Sequence, residues 1–225
     1  MHISDFDLFS NILKEKSGLA LTSDKAYLLD SRLTPVARKW NYPDIAALAM
    51  ALRAMPKNEL VKDVVEAMTT NETSFFRDNK PFDQFRDIIL PHLLKTRAAT
   101  KRVRIWCAAS STGQEPYSLS MLLKEQGAKI AGWNFEIVAT DIDTEVLESA
   151  KRGEYSQFEV QRGLPIQMLM KYFEQKADKW CLKPEIKSMV QYRHFNLLDP
   201  MTSLGRFDII FCRNVLIYFD RETKA

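Results

Sequence analysis

The sequence predicts an α/β protein carrying a small all-helical domain at its front and a small insertion on its sheet. Three observations support this. The first seventy or so residues space their apolar side chains as helices do and show no strand-like alternation. Beyond them, short runs of β-branched and aromatic residues alternate with helical stretches, the pattern of a parallel sheet covered on both faces. Between Gly153 and Tyr192 the alternation loosens, as an inserted subdomain with antiparallel strands would make it.

In DFDLFSNILKEKSGL, Phe6, Phe9, Ile12 and Leu13 fall at helical spacing and Gly18 is the stop. A second helix opens at Thr22 or Ser23, a third runs through DIAALAMALRA, and a fourth covers residues 58 to 68. KPFDQFRDIILPHLLK, from residue 80, is a linking helix. VRIWC (103–107), FEIVAT (135–140), VQYRHF (190–195) and FDIIFC (207–212) read as strands. PYSLSMLLKEQG precedes the second strand as a helix, and TEVLESAKRG follows it as another. Within the insertion PIQMLMKYF is a helix, while KWCLKPEIKSMV supplies two short strands with Pro184 near their turn. The expected organisation is an all-helical domain over 1–70, a linker and linking helix over 71–90, and an α/β domain over 91–225 with an insertion at about 153–192.

The chain of 225 residues is 46% hydrophobic and 27% charged, an ordinary soluble composition. A net charge of +3 lacks the domain-wide basic excess of a nucleic-acid binder, so no nucleic-acid partner is expected. The start, MHISDFDLF, has no signal-peptide pattern, and no stretch reaches the roughly 18 apolar residues of a membrane span. A cytoplasmic monomer without membrane insertion is the expectation. Cys107, Cys181 and Cys212 lie far apart in no metal-ligand spacing, which predicts neither a disulfide nor a metal.

The stretch IWCAASSTGQEPYS turns a strand into a helix through small residues. In open α/β sheets ligands bind beyond such strand ends, where backbone amides and a helix N-terminus are available. Ala108, Ala109, Ser110, Ser111 and Thr112 leave room, and Gly113 makes the turn. With a single glycine, the loop is a poor match to G-x-G-x-x-G, which weakens the case for a nicotinamide dinucleotide. FEIVATDID ends in Asp141, placed to hydrogen-bond ribose hydroxyls, and Asp143, placed to cap the next helix. Asn196 follows the third strand and can read an adenine edge or form a turn. Arg213 and Asn214 follow the fourth, where Arg213 can bind a carboxylate or the protein itself.

Four ordered segments, NETSFFR (71–77), WCAASSTGQEPYS (106–118), ATDIDTEVLESA (139–150) and FCRNVLIYFD (211–220), resemble the CheR-type chemotaxis receptor methyltransferases. The resemblance implies a Rossmann-like S-adenosylmethionine-dependent methyltransferase domain that methylates glutamate side chains on methyl-accepting chemotaxis receptors and releases S-adenosylhomocysteine. It implies that Asn71, Thr73 and Arg77 reach the cofactor from the inter-domain segment, and that Glu115 lies near its methionyl amino end. Ala108 lines the loop, Asp141 takes the ribose, and Asn196 with Leu197 lies beside the adenine. Arg213 and Asn214 complete the pocket and Tyr218 faces the methyl group. Arg77 and Tyr218 are the expected catalytic residues; whether Arg77 meets the substrate or the cofactor carboxylate is open.

A glutamate carboxylate needs no general base at neutral pH, since its unperturbed pKa is about 4.3. Receptor methylation regions are acidic helices in this family, so Lys25, Arg32 and Lys39, seven apart, with Arg38 nearby, form the expected docking surface. Two departures from the family stand out. The loop EQKADKWC is short, suggesting that docking needs no receptor C-terminal peptide, and the chain ends soon after the fourth strand, where further strands are expected. The alternative is a non-catalytic S-adenosylmethionine-binding signalling adaptor.

Overall fold

The computed structural model describes residues 3–224. They fall into two units: one runs through Thr70 and adds residues 196–200 and the stretch from Asn214 onward, and the other holds Asn71–Phe195 and Met201–Arg213.

The first unit is built on α1 (Ile3–Ser17), α2 (Tyr27–Lys39), α3 (Ile45–Ala54) and α4 (Asn58–Met68). Phe9 with Leu13, Leu29 with Leu33, and Leu60 with Val64 are fully buried, each pair one helical turn apart. Gly18 ends α1 at φ 76°, a conformation open to glycine at little cost. The Asp44 carboxylate accepts from the Ala47 amide at 2.8 Å and caps α3, worth about 1 kcal/mol for such a cap. Two later pieces of chain join this unit, although their position in the sequence suggested the α/β domain. Asn196 Nδ2 donates to the Lys16 carbonyl at 2.6 Å, the Ala20 amide donates to the Tyr218 carbonyl at 2.9 Å, and Lys14 pairs with Asp220 at 2.8 Å.

The second unit opens with α5 (Lys80–Gln84), a π turn (Phe85–Ile89) and α6 (Leu90–Thr96). The Leu90 amide donates to the Phe85 carbonyl, the i to i+5 bond of a π turn. The buried side chains Phe82, Phe85, Leu90 and Leu93 are spaced three, five and three apart, and the wider turn keeps all four on one side. The sheet and its helices follow: β1 (Arg102–Ala108), α7 (Gln114–Glu125), β2 (Asn134–Asp141), α8 (Thr144–Arg152), β3 (Glu154–Ser156), α9 (Gln157–Gln161), α10 (Ile166–Tyr172), β4 (Phe173–Lys176), β5 (Lys179–Leu182), α11 (Pro184–Lys187), β6 (Val190–His194) and β7 (Ile209–Cys212). A last short helix, α12 (Arg221–Lys224), belongs to the first unit.

The main sheet is parallel throughout, in the order β6-β2-β1-β7. Its central strands carry Val103, Ile105, Cys107, Ile137 and Ala139, all fully buried. The second sheet is antiparallel, in the order β3-β5-β4. Here the expectation of two strands turning at Pro184 is corrected. KWCL forms one strand, its turn with β4 lies at Ala177, which has φ 52°, and Pro184 begins α11. Proline has no N–H to give a ladder and its fixed φ suits the first helical position.

Candidate functional site

The carboxyl ends of three neighbouring parallel strands build the site. Ala108 pairs with Thr140 on one side and with Cys212 on the other, so Asp141, the loop after β1 and Arg213 stand in a row. That loop bends sharply: Ala109 has φ 57°, Ser111 φ 50° and Gly113 φ 93°. Two non-glycine residues in the left-handed region cost about 1 kcal/mol or more each, so the surroundings must hold them. They do so through Ser110 N to the Thr140 carbonyl (2.9 Å), Ser111 N to Asp141 Oδ2 (2.8 Å), Ser111 Oγ to the Asn71 carbonyl (2.8 Å) and Tyr155 Oη to the Thr112 carbonyl (2.8 Å). At Gly113 a Cβ would lie 2.5 Å from Tyr192 Oη and 3.0 Å from Ala150 Cβ, so a side chain there must push its neighbours aside.

Asp141 is buried, and Oδ1 accepts from the Asp143 amide at 3.0 Å. Burial raises its pKa, opposed by the backbone N–H groups aimed at it. Asp143 caps α8, accepting from the Glu145 and Val146 amides at 2.9 and 3.2 Å, and its second oxygen accepts from Asn71 Nδ2 at 2.7 Å. The segment from Asn71 is thereby tied to both strand ends.

On the other flank Arg213 donates to Glu115 Oε2 at 2.8 Å, to Asp78 Oδ2 at 2.8 Å and to the Arg77 carbonyl at 2.7 Å. Glu115, at the start of α7, has only 12% of its side chain exposed. Burial pushes its pKa up to about 7, although the Arg213 and Arg77 guanidinium groups pull the other way. Arg77 is half-buried and donates to the Glu72 carbonyl at 2.6 Å. The Glu72 carboxylate pairs with Arg162. Phe75 and Phe76 are core residues, Phe75 lying edge-on to the Tyr155 ring at 5.0 Å.

Ser110 Oγ is buried without a hydrogen-bond partner among the described residues. A buried hydroxyl in that state costs free energy unless something accepts or donates there. With small neighbours in the loop, Asp141 beside it and the Glu115 carboxyl nearby in sequence, the residues fit an adenosine-bearing amino-acid ligand.

Of the other expected site residues, two lie in the same unit and four in the first. Thr73 is half-buried in the 71–77 segment, and Ala108 is buried at the end of β1. Asn196, Leu197, Asn214 and Tyr218 all belong to the first unit. Asn196 caps the end of α1 through the bond to Lys16, while its Oδ1 accepts from the Leu198 amide at 3.1 Å. Asn214 is exposed at φ 57°, and Tyr218 ends a short 3-10 turn.

Arg32, expected as a docking cation, has a different task. Its guanidinium donates to the Met68 and Thr69 carbonyls at 2.8 and 2.7 Å and to Thr70 Oγ1 at 3.3 Å, capping the end of α4. Lys39 pairs with Asp63 at 2.8 Å. Lys25 and Arg38 are exposed, and Arg38 shares a cavity of about 700 Å³ with Asp5, Asp30 and Asp44. Sequence reasoning missed Asp78, Glu72 and Arg162. The first two stand beside Arg77 in NETSFFRD and were readable as its neighbours; Arg162, ninety residues further on, carried no signal.

Two family models match the chain: CheR methyltransferase, all-alpha domain, over residues 4–69, and CheR methyltransferase, SAM binding domain, over residues 71–225. The chain is 44% identical over 227 residues to chemotaxis protein methyltransferase 1 of Pseudomonas aeruginosa, covering 98% of this chain and 81% of that one. It is 41% identical over 224 residues to chemotaxis protein methyltransferase Cher2 of Pseudomonas putida, with 98% and 81% covered. A chemotaxis protein methyltransferase of Vibrio parahaemolyticus is 41% identical over 221 residues, with 96% and 79% covered.

Proposed function

Because the chain belongs to the CheR methyltransferase family and is an S-adenosylmethionine-dependent methyltransferase, we propose that it methylates glutamate side chains of methyl-accepting chemotaxis receptors at the carboxyl ends of β2, β1 and β7. The observation that carries the site is the row formed by Asp141, the loop with its unpartnered Ser110 hydroxyl, and the Arg213–Glu115 pair.

Bound S-adenosylmethionine supplies an electrophilic methyl group on a sulfonium and leaves as S-adenosylhomocysteine. A substrate glutamate is already ionised at neutral pH, so the chain's residues have to bind, orient and exclude water rather than move a proton. Ionised Glu115 takes the ammonium of the methionyl end. Asp141 offers the lone pairs that its backbone partners leave open to ribose hydroxyls, with Ser110 Oγ as a further contact. Asn71 and Thr73 hold the segment that presents Arg77, and Ala108 shapes the floor of the loop. Arg213 fixes Glu115 and, through the Arg77 carbonyl, the backbone of that same segment. The family roles of Asn196 and Leu197 toward adenine, of Asn214 in the pocket and of Tyr218 toward the methyl group are part of the proposal.

In this reading residues 1–70 dock the receptor, 71–90 connect, and 91–225 carry the chemistry, with the short insertion working without a receptor C-terminal peptide. The enzyme acts in the cytoplasm; among the described residues no helix is long and apolar enough to cross a membrane.

Incubation with labelled S-adenosylmethionine and receptor fragments tests the activity, the expected product being a base-labile glutamate methyl ester. Arg77→Ala should lose methyl transfer far more than Tyr218→Phe does, and normal turnover in Arg77→Ala rejects its assigned role.

A further inference from the structure

The inserted antiparallel subdomain grips the 71–77 segment at several points, and one of them is an ion pair. Glu72 is bound from both ends: its carboxylate by Arg162, just after α9, and its carbonyl by Arg77 Nη1 at 2.6 Å. The backbones are equally close. A Cβ on Gly163, which has φ 87°, would lie 2.1 Å from the Phe75 carbonyl oxygen, so Arg162 is delivered to Glu72 by a chain crossing that only glycine allows. The Phe75 ring then packs edge-on against Tyr155 of β3 and Phe173 of β4, at 5.0 and 5.7 Å.

We propose that Arg162 is a positioning residue: by holding Glu72 it fixes the backbone carbonyl that orients the Arg77 guanidinium, so that the inserted subdomain sets the geometry of the cofactor segment. This rests on the assignment of that segment to S-adenosylmethionine. The pair suits such a task better than it suits stability. Its side chains are 45% and 56% exposed, and an exposed ion pair adds little to folding, whereas a small shift of a guanidinium is felt directly in ligand affinity. The carboxylate pKa of Glu72 is lowered first by Arg162 and then by Arg77, as expected of a group between two cations.

Calorimetric titration with S-adenosylhomocysteine, together with the KM for S-adenosylmethionine, tests this. Arg162→Ala should weaken binding about two- to fivefold and raise KM by a like factor, with the thermal midpoint unmoved, as expected for an exposed pair. Arg162→Lys should recover part of the loss, and the effect should shrink in about 1 M salt, where screening reaches roughly 3 Å. In an Arg77→Ala background Arg162→Ala should cost nothing further. Lys151→Ala, which removes a comparable exposed pair with Glu148 on α8, should leave affinity unchanged. Wild-type affinity in Arg162→Ala, or an undiminished loss in the Arg77→Ala background, overturns the inference. Failure of the wild-type protein to bind S-adenosylhomocysteine at all instead overturns the cofactor assignment on which it stands.

Discussion

At the scale of single residues, Glu115 links burial to pH. Its carboxyl is held to about 7 by burial, so between about pH 4.5 and 7 the folded state binds more protons than the unfolded one, and the stability due to this group declines as pH rises through that window. A ligand ammonium needs the ionised form. Affinity for S-adenosylhomocysteine should therefore strengthen as pH rises from about 6 to about 8, while Glu115→Gln should bind about tenfold or more weakly at pH 8 with a flat profile, the loss expected for a charge-assisted hydrogen bond. A flat wild-type profile by calorimetry would sink the assignment. Asp141 teaches a related lesson. Its place at a strand end was legible in the sequence as a ribose contact, but its second task, receiving the Ser111 and Asp143 amides to hold the loop, depends on a fold that brings them within 3.0 Å.

At the scale of elements, the loop between β1 and α7 shows why one glycine suffices. Ala109 and Ser111 take left-handed conformations too, and hydrogen bonds to Thr140, Asp141 and Asn71 maintain them. At Gly113 a side chain would have to push its neighbours aside. Gly113→Ala should destabilise the protein by about 1–3 kcal/mol in chemical denaturation, because positive φ and a clash with the Tyr192 hydroxyl add together. Gly127→Ala, at φ 52° with nothing within 4 Å, should cost about 1 kcal/mol or less. The four N-terminal helices were legible from apolar residues at helical spacing, and the four parallel strands from short β-branched and aromatic runs set between helical stretches. The inserted sheet was legible in kind but not in detail: KWCL and PEIK are each too short to show a period, and the outcome turned on where proline could be tolerated.

At the scale of the molecule, the sequence reading grouped charges that the fold separates by function. Lys25, Arg32 and Lys39 share a seven-residue spacing, yet Arg32 is spent on three acceptors at the end of α4. Arg32→Ala should therefore lower stability by about 1–3 kcal/mol, as removal of a charged donor does. Lys25→Glu and Arg38→Glu should raise the KM for an acidic receptor fragment, in a salt-dependent way, without changing S-adenosylhomocysteine affinity. Equal receptor methylation in both reversals would move docking to another surface. Residues brought in by long-range folding, such as Arg162 and the pieces at 196–200 and from Asn214 onward, had no local pattern to announce them. The π turn at Phe85–Ile89 has a consequence for length variants of this protein. It takes up one residue more than an α-helix of the same span, so deleting one residue inside it would leave a plain α-helix in which Phe82, Phe85, Leu90 and Leu93 stand three, four and three apart, still on one face. A single-residue gap there should leave S-adenosylhomocysteine binding close to wild type, whereas a gap in the middle of α7, which has no such turn, should rotate its buried face by about 100° and lower stability, so the first helix has a residue to spare where the second does not.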